Sequence, residues 1–169
     1  YDALFVPALI GVCLDGDSAA VILDMPASTD LKEFPAAGFD NANAVIAGFT
    51  MSTVPYDSAA GTPASATVTL DPGAQLEIEW PADTGTWVAG PNQINIVMQP
   101  GNTRLLPGGA TSTWDQVQFR VRAGNDDFAE GGHQGRILFT AVSDDPAYAA
   151  LEAQAMTFAI QDDSSDGTD

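Results

Sequence analysis

The sequence predicts an all-β fold, an immunoglobulin-like antiparallel β-sandwich of about seven strands. Apolar and polar residues alternate in ATVTL (66–70), QLEIEW (75–80), QINIVM (93–98), QVQFRVR (116–122) and MTFAI (156–160). A period of two turns one face of a strand toward a core and the other toward water. Gly, Pro, Asp and Asn punctuate the chain between these runs, as turns between short strands require. Helical periodicity is almost absent, which removes the helical and mixed fold classes.

Taken in order, the strands fall near residues 4–14, 19–25, 44–54, 64–70, 74–80, 93–98, 115–123, 135–143 and 154–161. The first of them, LFVPALIGVCL, is apolar and holds the single cysteine, Cys13. A lone thiol in such a run reads as a buried structural group, and it excludes a disulfide within the segment. Residues 26–43 (PASTDLKEFPAAGFDNAN) show no period and hold Pro, Gly and Asn, so they read as a long loop or insertion. The stretch DPAYAAL (145–151) is long enough for one helical turn only. DPG (71–73) and DDP (144–146) read as ordinary turns.

The chain also resembles itself. Tyr1, Ala3, Leu4, Ala8 and Asp15 are matched by Tyr148, Ala150, Leu151, Ala155 and Asp162, an offset of 148 − 1 = 147 residues. On this reading residues 1–17 are the closing strand of a preceding repeat, residues 18–163 are one full repeat, and 164–169 begin a linker to the next module.

Charge narrows the function. The 169 residues carry 23 acids against 5 Lys and Arg, a formal net charge of −18. That excludes a phosphate-tracking surface, and with it nucleic acid as a partner. It suits either high salt, which screens self-repulsion, or an outside compartment rich in divalent cations. No run of apolar residues is long enough to span a membrane.

The acids are not scattered evenly. Asp126, Asp127 and Glu130 follow one strand; Asp162 and Asp163 follow the last; Asp15 and Asp17 follow the first; Asp83 follows QLEIEWP; Asp57 precedes ATVTL. Carboxylates past strand ends can gather at one edge of a sandwich. Without a cation they repel, and at least one takes up a proton. Calcium suits such a set, since it takes about six to eight oxygen ligands. Nitrogen and sulfur ligands for zinc or copper are nearly missing. The competing account is that Asp pairs are solvated turn residues, which Asp favours without any metal.

Catalytic signals are poor, and no catalytic residue is assigned. A nucleophile needs a base, and the one histidine, His133 in EGGHQG, reads as an exposed turn residue. A glycosidase would need paired carboxylates in an aromatic-lined cleft. Trp80, Trp87 and Trp114 read as core or rim residues, with a carbohydrate platform as the alternative. No phosphate loop or dinucleotide fingerprint occurs.

Residues 114–163 resemble the second half of a Calx-beta repeat. The features are a Trp-led strand, the NDDFAEGG hinge, a further strand, the D-P-x-Y turn and a final strand closing on Asp-Asp. Residues 54–80 are similar to the first half, with Asp57 standing where the family usually has Glu. The resemblance implies a sandwich that binds calcium at one tip. Carried over by position, the ligands would be Asp126, Asp127, Glu130, Asp162 and Asp163, joined by Asp57 and Asp83. It also implies a structural role in a long extracellular surface, adhesion or filament protein. The partners would be neighbouring repeats of the same polypeptide and other subunits of a filament or cell-surface matrix. The alternative is a carbohydrate- or partner-binding module using Trp87 and the 85–92 loop. A third account is a surface protein of a salt-loving organism whose acids only solvate it.

Overall fold

The computed structural model describes residues 18–33, 43–99, 103–106, 108–109, 111–113, 116–125 and 131–161. They form an all-β sandwich. One sheet has five strands in the order β1 (Val21–Asp24), β3 (Val45–Met51), β12 (Val117–Ala123), β7 (Leu76–Glu79), β8 (Trp87–Ala89). The facing sheet has seven: β11 (Thr111–Thr113), β10 (Thr103–Leu105), β9 (Ile94–Gln99), β6 (Ala66–Asp71), β13 (His133–Ser143), β14 (Gln154–Gln161), β2 (Asp30–Lys32). A small ribbon, β4 (Tyr56–Asp57) with β5 (Thr62–Pro63), stands apart. One short helix, α1 (Pro146–Ala149), follows β13. Every strand pair is antiparallel except β14 with β2, which is parallel. Among the described residues no helix is long and apolar enough to cross a membrane.

Alternation builds the two inner faces. On β6, Ala66, Val68 and Leu70 are buried while Thr67 and Thr69 are only partly covered. On β12, Val117, Phe119, Val121 and Ala123 point inward. Met156, Phe158 and Ile160 do so on β14. Between the sheets Phe139 meets Phe49 and Phe119, with both ring-centroid distances 6.1 Å. Each such fully buried side chain contributes about 1.5–3 kcal/mol relative to exposure.

The strands expected near 19–25, 44–54, 64–70, 74–80, 93–98, 115–123, 135–143 and 154–161 are present as β1, β3, β6, β7, β9, β12, β13 and β14. Seven of these, all but β1, supply most of the core. The turn at DPAYAAL is α1, with Asp145 as its N-cap accepting a hydrogen bond from Ala147 N at 2.8 Å. The expected strand 4–14 lies outside the described residues. So do 34–42 of the segment read as a loop. Within that segment, however, Asp30–Lys32 form β2, a strand the aperiodic sequence did not reveal. With Leu31 as its only buried residue, β2 is too short to show alternation.

Register fixes two poles. Val21 pairs with Met51, and Phe49 with Val117, so β1 and β12 begin where β3 ends. Arg120 pairs with Glu79, so β7 ends at this same Met51 pole. Ser143 pairs with Ala66, and there β13 ends too. At the opposite pole His133 pairs with Ile160 and Gln161 with Lys32; β13 begins while β14 and β2 end. β12 also ends there, where Gly124 N donates to Gln75 O at 2.9 Å.

Candidate functional site

The Gln161 pole is the candidate site, because it collects the strand ends next to the acidic segments. Asn125 and Gly131 bracket the 126–130 segment, one just past β12 and the other just before β13. The 162–163 pair directly follows β14. Asp126, Asp127, Glu130, Asp162 and Asp163 themselves lie outside the described residues. Asp15, Asp17 and Cys13 lie outside them as well, as does Trp114.

The other two expected ligands are elsewhere. Asp57 and Asp83 leave the five-stranded sheet past the C-terminal ends of β3 and β7, at the Met51 pole. Both also have local work. Asp57 Oδ1 accepts from Ala59 N at 2.8 Å and Ala60 N at 3.0 Å, closing the turn between β4 and β5. Asp83 adopts φ 64° in the loop after β7, and its carboxylate accepts from Arg120 Nη1 at 3.1 Å. Asp57 and Asp83 therefore follow strands that end at the Met51 pole, opposite the pole where β12 and β14 end. Spacing along the chain could not show this, because antiparallel strands alternate in which pole they reach. Among the described residues no group of three or more His, Cys, Asp or Glu side chains is placed to hold a metal ion.

What the described part of the pole does contain is a buried polar cluster. Glu33, just past β2, has its side chain 1% exposed, and its Oε1 lies 3.3 Å from His133 Nε2. The same ring nitrogen is 3.1 Å from Gln75 Oε1, while Nδ1 is 3.1 Å from Gly131 O. His133 is thus not the exposed turn residue that its Gly-rich surroundings suggest. It opens β13 and is wedged among three oxygen acceptors from three segments. Glu33 N also donates to Gln161 O at 3.0 Å. The cluster ties β2, the β6–β7 turn and β13 together directly beside the two acidic segments. Sequence offered no signal for it, since Glu33 is brought to His133 by the parallel β2–β14 pairing and Gln75 by the turn between β6 and β7, both far from it in the chain.

Two of the shallow clefts at this pole border β13 and β14. One of about 260 Å³ runs between the Asp71–Gln75 turn and Gln134–Arg136. The other, about 390 Å³, lies between β2 and β14 beside Gly132.

A second charged cluster covers the outer face of the five-stranded sheet. Glu79 is fully buried, accepts from Gly85 N, and lies 3.4 Å from Arg120 Nη1. Arg122 is 2.6 Å from Glu77 Oε2, and its guanidinium sits 4.0 Å from the Trp87 ring centre. Trp87 therefore carries a cation on one face in place of an open platform, and Trp80 packs against the core. No protein-family model matches the chain, and no curated protein matches it.

Proposed function

We propose that this chain is a calcium-binding structural repeat of the Calx-beta type, part of a long extracellular surface, adhesion or filament protein. The observation that carries the reading is the gathering of strand ends at one pole. β12 ends, β13 begins and β14 ends there. Along the chain, Asp126, Asp127 and Glu130 fall between β12 and β13, and Asp162 and Asp163 directly follow β14. Calcium, a hard cation satisfied by several carboxylates and carbonyls, suits such an acidic junction.

A second observation favours an array. The described chain enters the sandwich at the Met51 pole, through β1, and β14 delivers it to the opposite pole. Modules built this way stack head to tail, with the acidic pole of one at the junction with the next. A cation there would neutralise loops that otherwise repel and so stiffen the joint. The neighbouring repeats are then the first partners, and other subunits of a filament or surface matrix the second.

Calcium titration with the melting temperature as readout tests this. Millimolar calcium at fixed ionic strength should raise the melting temperature by roughly 5 °C or more, because a ligand of the folded state stabilises it by mass action. The double variant Asp126→Asn/Asp162→Asn should lose that shift, while Asp57→Asn should keep it. A melting temperature unmoved by calcium would remove the metal reading and leave the acids as solvating charge.

A further inference from the structure

The outer face of the seven-stranded sheet differs from the rest of this acidic molecule. Val68 and Leu70 point inward on β6, so Thr67, Thr69 and Asp71 point outward. By the same alternation β13 presents Gln134, Arg136, Leu138, Thr140 and Val142, and β14 presents Ala155, Thr157 and Ala159. Across the sheet, Leu105, Val97, Thr67 and Val142 form one cross-strand row. Val142 is 69% exposed. Among the described outward positions of these strands the charged residues are Asp30, Asp71, Lys32 and Arg136, two of each sign. In a chain of formal charge −18, this broad face is neutral.

From this we infer that the outer face of the seven-stranded sheet is a self-association surface, packing against the same face of a second copy of this chain. Charge selects the occupant. Two such acidic molecules repel through most of their surface, and a contact that opposes carboxylates costs free energy. The neutral sheet is where two copies meet without that cost, and Arg136 and Asp71 supply both signs at its rim. Size agrees. Strands about 4.8 Å apart, with central runs rising about 3.3 Å per residue, give a plane of roughly 500 Å² per copy. A pair then buries about 1,000 Å², the lower limit for specific association. Stacked sheets sit about 10 Å apart, which β-branched and hydroxyl side chains fill without large knobs. The inference needs no calcium and holds for a single module; in an array the contacts would multiply.

Sedimentation equilibrium of the whole chain, from micromolar to millimolar protein in low and high salt, decides it. The expected result is a reversible dimer that tightens in high salt, as screening removes repulsion elsewhere. Val142→Asp should weaken it by about tenfold or more, while Ile22→Asp on the other sheet should not. Circular dichroism shows whether each variant is folded. Should Val142→Asp fail to fold, the wild type still decides: concentration-dependent amide shifts should centre on Thr69, Thr140 and Thr157. A monomer at every concentration and salt overturns the inference. So does a dimer that Ile22→Asp breaks and Val142→Asp spares, or amide shifts centred on the five-stranded sheet.

Discussion

At Tyr148 the phenolic oxygen makes three polar contacts with one residue, Thr53. It donates to Thr53 O at 2.6 Å, accepts from Thr53 N at 3.0 Å, and lies 3.1 Å from Thr53 Oγ1. The ring is fully buried, so α1 is pinned across the Met51 pole to the segment after β3. Tyr148→Phe keeps the ring and removes three polar contacts; it should cost about 1–3 kcal/mol, read as a lower urea midpoint at unchanged slope. The Glu79–Arg120 pair should be more sensitive. Arg120→Met leaves a fully buried carboxylate held by a single backbone N–H, and should cost roughly 3–5 kcal/mol by the same measurement. The double change Glu79→Gln/Arg120→Met should recover part of that loss, since the unpaired charge is then gone. Neither pair is legible in the sequence. Glu79 looks like an ordinary outward residue of QLEIEW, and only the loop folding back through Gly85 buries it.

At the scale of elements, β13 shows why a glycine stands in an otherwise apolar inward row. A Cβ at Gly135 would lie 2.6 Å from Leu76 Cγ and 2.9 Å from Ile160 Cδ1. The turn of β7 and the end of β14 close over that point. Gly135→Ala should cost about 1–3 kcal/mol through overpacking, seen as a drop in melting temperature. The edge strand β2 depends on the Glu33 cluster as much as on its own three residues. Glu33→Ala should therefore release it locally: amide exchange should quicken at Ala159, whose N–H donates to Thr29 O at 2.9 Å, more than at β6. Long alternating strands were readable because burial on one face imposes period two on their sequence. Short strands at or next to the sheet edges, such as β2, β8 and β10, bury too few residues to leave that mark.

For the whole molecule, charge and topology work together. The chain crosses between the sheets repeatedly, among other places from β1 to β2, from β6 to β7 and from β12 to β13, so strand ends distant in sequence gather at the same pole. The broad outer face of the larger sheet is left neutral. The two poles are not equivalent: one carries the Tyr148 anchor and the β4–β5 ribbon, the other the Glu33–His133 cluster. This division makes the calcium and self-association experiments independent, since they interrogate different surfaces. Asp126→Asn/Asp162→Asn should alter the calcium response and spare the dimer, and Val142→Asp should do the reverse.

The sequence by itself determined the fold class, the long strands, the α1 turn and the acidic character, because these follow from local alternation, turn chemistry and composition. Tertiary structure alone decided at which pole each described strand begins and ends, that Asp57 and Asp83 follow strands ending at the Met51 pole while β12 and β14 end at the other, and that His133 is enclosed. The physical reason is that strand direction and register are set by pairings between residues far apart in the chain. No local pattern encodes those pairings.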